Sequence, residues 1–298
     1  MSFSLAAQGT PVAELKIDAA LVRSLLTAQH PDLAAHSIQP VGEGWDNVMF
    51  KLGDALAVRL PRRQSAARLI RHEQLWLPKL APRLTLPVPV PTRVGRPSNG
   101  YPWYWSVSPW LAGETADLAV VTDTQGGRFG DFLRSLHTPA PDNAPSNPFR
   151  GISLKVRSSR TQPVLDRLNA STDFITPRIQ QIWQDALNAP AATQDNWLHG
   201  DLHPRNILVE TGIISGIIDW GDVTSGDIST DLAAVWMLFS NTDAQQRALA
   251  RYGASEAEII RAKGWAIVFA AALLETGLVD SPRHAAIGKN TLQNVANY

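Results

Sequence analysis

The 298-residue chain sets 27 Lys and Arg against 27 Asp and Glu, is 44% hydrophobic and contains no cysteine. A disulfide framework, a thiolate metal site and a cysteine nucleophile are excluded, and the apolar share is ample for the core of one large or two modest domains. The charge is unevenly placed: residues 1–110 carry 12 basic and 7 acidic side chains, residues 111–298 carry 15 and 20, so the halves are +5 and −5. That split suits a basic N-terminal part facing an anion and an acidic C-terminal part facing a cation.

Neither half has the clustered Lys/Arg stripe of a nucleic-acid binder. The opening residues lack the basic flank and long apolar run of a signal peptide, and the apolar stretch Trp265 to Leu274 is too short to span a bilayer. A cytoplasmic protein with no nucleic-acid or membrane partner is expected, and its oligomeric state is not legible.

In chain order, Glu14 to His30 predicts a helix with Leu21, Val22, Leu25 and Leu26 on one face. His36 to Leu60 predicts three strands, the last two joined by the two-residue connection Gly53-Asp54. Gln64 to Leu80 is helical in pattern, with Leu69, Leu75, Trp76 and Leu80 apolar. The alternating prolines of residues 87–91 forbid helix and favour an extended segment. Tyr101 to Trp110 predicts strands running into the connector Leu111-Ala112-Gly113, and the boundary falls there, giving lobes 1–110 and 111–298. Beyond it, Arg128 to His137, Pro163 to Ala170 and Pro177 to Leu187 predict helices. Trp197 to Trp220 reads as loop, strand, Thr211-Gly212 turn, strand. Asp231 to Phe239, Asp243 to Tyr252 and Ser255 to Leu274 are helical. The predicted class is α+β, with a small β-rich N-terminal lobe and a larger, mainly helical C-terminal lobe.

The informative stretch is His199-Gly200-Asp201-Leu202-His203-Pro204-Arg205-Asn206, followed by Ile217-Ile218-Asp219-Trp220. Three oxygen-donor side chains, Asp201, Asn206 and Asp219, flank a loop that leads into a hairpin. A hairpin folds its far end back on its start, which lets Asn206 and Asp219 meet over one divalent cation with Asp201 nearby. Hard oxygen donors suit magnesium, and phosphoryl transfer needs such a cation together with a carboxylate that orients the attacking hydroxyl.

The spacing H-x-D-x-x-x-x-N, with an Asp after an apolar strand and a later D-x-x-x-D-L-A, resembles the aminoglycoside phosphotransferase family of protein-kinase-like small-molecule kinases, which includes macrolide phosphotransferases. The resemblance covers roughly residues 35–295. It implies a two-lobed protein-kinase-like fold, ATP or GTP as phosphate donor, and transfer to a hydroxyl of a small molecule such as an aminoglycoside or macrolide antibiotic. A metabolic kinase for an amino alcohol or sugar, and a silent nucleotide-binding module, are the alternatives.

Residue by residue, the resemblance implies that Asp201 is the catalytic base or hydroxyl-orienting group and that Asn206 and Asp219 bind Mg2+. His203 either lies near the transferred phosphate or braces its loop. His199 holds the loop, and Asp231 bonds the loop backbone. Gly42 and Gly44, in Val41-Gly42-Glu43-Gly44-Trp45-Asp46-Asn47, mark a nucleotide-covering loop. Arg59 stands where kinases place the phosphate-holding Lys, with Glu73 as its ion-pair partner, unless both are plain surface residues. The Pro109 carbonyl and Leu111 amide edge the purine pocket. The acceptor wall includes Asp222, Asp227, Trp236, Trp265, Phe269 and Glu275, unless the aromatic members only pack helices.

Overall fold

Asp18 sets where the chain first becomes helical. Its carboxylate accepts from the Leu21 amide at 3.0 Å, so α1 runs Ala19–Gln29 and starts later than the expected Glu14. The computed structural model describes residues 11–298, which fall into two compact units: residues 11–112 with 215–223, and residues 113–214 with 224–298. A single cut at 110/111 does not capture this division, because the short segment Ser215–Val223 belongs with the N-terminal residues.

In the N-terminal unit, α1 buries Val22, Leu25 and Leu26 against an antiparallel sheet. Its first strands are β1 (Ile38–Glu43), β2 (Asn47–Leu52) and β3 (Leu56–Pro61). Leu52 pairs with Leu56, so three residues connect β2 to β3 rather than the expected two. Helix α2 (Ala67–Leu80) follows a short 3-10 turn and buries Ile70, Glu73, Trp76, Leu77 and Leu80. Leu75, expected on that face, is 52% exposed, because residues 70, 73, 77 and 80 set the buried stripe and position 75 points away from it. The strands β4 (Arg93–Gly95) and β5 (Trp105–Pro109) complete a sheet of order β1-β2-β3-β5-β4. The prolines at 87–91 form no strand, and the Pro87 carbonyl instead accepts from Ile217 N–H at 2.9 Å.

The C-terminal unit carries β6 (Glu114–Thr115), α3 (Gly126–Leu136), α4 (Leu154–Ser171), α5 (Pro177–Asn188), β7 (Asn196–Leu198) and β8 (Ile207–Glu210). Strand β9 (Ile213–Ile217) starts here, and β10 (Thr224–Gly226) pairs with β7. Five helices close the chain: α6 (Ser229–Leu232), α7 (Ala234–Leu238), α8 (Thr242–Tyr252), α9 (Glu256–Asp280) and α10 (Pro282–Asn297). Thr211 and Gly212 both have positive φ, 50° and 82°, the geometry of a tight hairpin turn of the predicted kind. Helix α4 begins nine residues before the expected Pro163, because Ser153 caps it at Val156 N–H and Leu154, Thr161, Leu165 and Leu168 give it a buried face.

Helix α9 is the core helix. Ser255 and Glu258 form a capping box at its start, and twelve of its residues are buried, Trp265 and Phe269 among them. By length and composition it is apolar enough to cross a membrane, yet 61% of its most apolar 18-residue window is covered by the rest of the protein. Helix α10, unassigned from sequence, packs on α9 through Ile287, Leu292 and Val295. Pro282 at its first turn was the available start signal.

Candidate active site

Asp231 builds the loop between β7 and β8. Its carboxylate, wholly buried within α6, accepts from His199 N–H at 2.6 Å and from Gly200 N–H at 2.9 Å. Two backbone donors that would otherwise be unsatisfied are thereby fixed, and the His137 ring lies 3.4 Å from the same carboxylate. His199 is also buried, and its Nδ1 accepts from Asp201 N–H at 3.2 Å. This is the loop-holding duty expected of both residues.

On that frame Asp201 faces two partners. Arg150 Nη2 donates to Oδ1 at 3.0 Å, and His203 Nε2 lies 3.3 Å from Oδ2. Burial raises the Asp201 carboxyl, but His203 and Arg150 outweigh it and hold the group well below the usual carboxylate range. His203 does double duty: Nδ1 accepts from Arg205 N–H at 3.2 Å, which caps the short turn Pro204–Asn206, and the opposite ring nitrogen faces Asp201. Asn206 donates from Nδ2 to the Asp201 carbonyl at 2.8 Å, which orients the amide and leaves its oxygen for a ligand.

Below this loop, Arg205 is hydrogen-bonded to His284 Nε2. Burial, then the nearby Arg205 and His203, push the His284 ring down to about 4. His284 is therefore neutral in the fold at pH 5 to 6 but takes up a proton once unfolded. The stability this contributes is complete above about pH 6.5, the unfolded value, and is lost as the pH falls toward 4. Urea midpoints measured from pH 7 to pH 5 should fall more steeply for the wild type than for His284→Gln; parallel slopes would remove His284 as the cause.

In the N-terminal unit, Arg59 on β3 joins three elements. It is hydrogen-bonded to Glu73 of α2 and to Asp219. With its amide oxygen turned to the guanidinium, Asn47 of β2 accepts from Nη2 at 2.8 Å and from Nε at 3.1 Å. Arg59 and Glu73 are 8% and 2% exposed, so the plain-surface alternative for this pair fails. Burial raises the Glu73 carboxyl, Arg59 opposes that rise, and Trp220 N–H adds a hydrogen bond at 3.2 Å. Asp219 takes the left-handed conformation, φ 61°, and its side chain is 44% exposed.

Gly42 lies at a bulge in β1 with φ 158°, and Gly44 N–H donates to the Asn47 carbonyl at 2.8 Å across the hairpin tip. Arg62 steadies that tip by bonding the Gly44 carbonyl at 2.9 Å and Glu43 at 3.0 Å. Pro109 ends β5, and the Leu111 amide beyond it has no hydrogen-bond partner among the described residues. Asp201, His203 and Asn206 are thus brought together in one unit, and Arg59, Glu73 and Asp219 in the other. Among the described residues no three His, Cys, Asp or Glu side chains cluster as a metal site. Oxygen donors of the hard kind magnesium takes are present at Asn206 in one unit and at Asp219 in the other.

The expected acceptor wall needs correction. Trp236 and Trp265 are fully buried core residues. Asp227 is buried and accepts from Arg261 Nε at 2.7 Å and Nη2 at 3.2 Å, and Glu275 accepts from Arg167 at 2.7 Å. Phe269 is buried beneath the Arg150 guanidinium, 4.7 Å from its ring centroid. Sequence reasoning missed Arg150 and Asn47. No motif marks Arg150, which lies 51 residues before Asp201.

Residues 37–266 match the model of the phosphotransferase enzyme family. The chain belongs to this family. An aminoglycoside 3'-phosphotransferase of Escherichia coli is 30% identical over 129 residues, 41% of this chain and 46% of its own length. The chain thus spans about half the length of the curated relatives it matches. Among solved family structures, the GDP and kanamycin complex of APH(2")-IIia superposes with a TM-score of 0.68 at 18% identity, covering 93% of this chain and 99% of that one. A macrolide 2'-phosphotransferase from Brachybacterium faecium gives 0.59 at 17%, covering 91% and 96%. These likenesses establish the two-lobed, kinase-like fold of the family for this chain.

Proposed function

We propose that the chain transfers the terminal phosphate of ATP or GTP to a hydroxyl of a small-molecule acceptor of the antibiotic class for which its structural neighbours are named. The observation that carries this reading is Asp201, a carboxylate kept ionised on a loop whose backbone Asp231 fixes. So depressed a carboxyl binds a proton weakly, so its main action is to orient the attacking hydroxyl and stabilise the charge that develops on it. The Asn206 amide oxygen and the Asp219 carboxylate are each donors of the kind magnesium takes, and the cation would neutralise charge on the transferring phosphate. Arg59 supplies a permanent positive charge for the nucleotide phosphates, Gly42 and Gly44 cover them, and Pro109 and Leu111 border the base. The setting is cytoplasmic, where nucleoside triphosphates are plentiful.

A coupled assay of nucleoside diphosphate release, run with ATP and with GTP across aminoglycosides, macrolides and small hydroxylated acids and amines, tests this. Acceptor-dependent release above the basal rate supports it. Tight nucleotide binding with no acceptor-dependent release across the panel would reduce the protein to a nucleotide-binding module.

A further inference from the structure

Residues 148–160 hold four basic side chains, Arg150, Lys155, Arg157 and Arg160, and no acidic one. Arg157 and Arg160 lie in the first two turns of α4, three residues apart and so on one face. Placement there is unfavourable by itself, since the positive end of the helix dipole repels cations and like charges at this spacing repel each other. The two guanidinium groups lie 6.0 and 4.7 Å from the Phe149 ring centroid, and neither has a carboxylate partner among the described residues. Nε of Arg157 and Nε of Arg150 are both buried without a hydrogen-bond partner. Burial, with Arg150 and Arg160 close by, lowers Arg157 to about 10, so the fold holds it at a cost.

This cluster adjoins the chemistry. Arg150, next in sequence to Phe149, donates to Asp201 at 3.0 Å and covers the Phe269 ring. Two of the acidic groups expected to face an amine-bearing acceptor are already paired, Asp227 with Arg261 and Glu275 with Arg167. A carboxylate or phosphate among these guanidinium groups would satisfy the orphaned donors, with the part-exposed Phe149 ring offering apolar area to the rest of the molecule.

We infer that Arg150, Arg157 and Arg160 form an anion-binding site beside Asp201 that takes a carboxylate or phosphate group of a small molecule. The site rests on the arginine cluster and not on the proposed phosphotransfer. Calorimetric titration of the full chain with three matched probes tests it: glucuronate, glucose and glucosamine, each with and without saturating magnesium and a non-hydrolysable nucleoside triphosphate.

Glucuronate should bind about tenfold or more tighter than either counterpart, with nucleotide present or absent, as expected for charge-assisted contacts. The double variant Arg157→Gln/Arg160→Gln should erase that preference, and Arg157→Lys/Arg160→Lys should retain most of it. Equal or tighter binding of glucosamine, no detectable binding of glucuronate, or a preference unchanged in the Gln variant would overturn the inference. Displacement of glucuronate by the nucleotide would overturn it too, since the arginines would then serve the donor phosphates. Nucleotide affinity is titrated on the same samples, so a failure of phosphotransfer is read apart from a failure of the anion site.

Discussion

Asp201→Ala should lower kcat by about 10²-fold or more while leaving nucleotide affinity nearly unchanged, because the side chain faces Arg150 and His203 and in the proposed reaction it orients the acceptor hydroxyl. The depressed carboxyl adds a pH signature. Ionised throughout the usual carboxylate range, Asp201 should give the kcat profile no inflection near pH 4, and activity on the acid side should persist until other groups fail. Removing one of the cations that hold the carboxyl down, in Arg150→Gln, should move an inflection up toward that range. Near-normal turnover in a folded Asp201→Ala protein would sink the assignment. A carboxylate inflection already present near pH 4 in the wild type, and unmoved by Arg150→Gln, would sink the electrostatic account alone.

The legible part of this site is the part written locally. His199, Asp201, His203 and Asn206 lie within eight residues, so their spacing alone fixes which of them can share a loop, whereas the loop-bonding duty of Asp231 came only from the family resemblance. Arg59 and Glu73 were legible as a pair through the kinase resemblance, and burial is what removes the plain-surface alternative. What spacing does not carry is which acids are already neutralised. Asp227 and Glu275 read as candidate ligands for an amine until Arg261 and Arg167 are seen on them, across 34 and 108 residues.

In the same way, Trp236 and Trp265 follow a helical period that a pocket wall and a core share, and only burial separates the two. The fold shows the same limit. Strands β1 to β3 were legible from their apolar runs and turn residues, whereas the early start of α4 was hidden because Pro163 favours a first turn and is disfavoured in the helix interior where it sits. Arg150 was invisible for want of any local pattern, although the run of bases around it was on the page.

Arg59 carries the other large expected effect. A guanidinium has five N–H donors, and here Glu73, Asp219 and Asn47 engage all three of its nitrogens. Arg59→Ala therefore strips the buried Glu73 of its counter-charge, which should cost about 3 to 5 kcal/mol of stability. It should also weaken triphosphate binding about tenfold to a hundredfold, the loss of a charge-assisted contact of about 1.5 to 3 kcal/mol. Lysine keeps the charge but is a single point donor that cannot span two carboxylates and an amide. Arg59→Lys should thus retain much of the phosphate affinity and lose part of the stability, separating the two duties of one side chain. Comparing triphosphate with bare nucleoside in both variants, under conditions where circular dichroism shows them folded, isolates the phosphate contact because only one ligand has it. A folded Arg59→Ala protein that keeps the wild-type preference for triphosphate would confine Arg59 to bracing Glu73 and Asp219, and the nucleotide phosphates would need another cation.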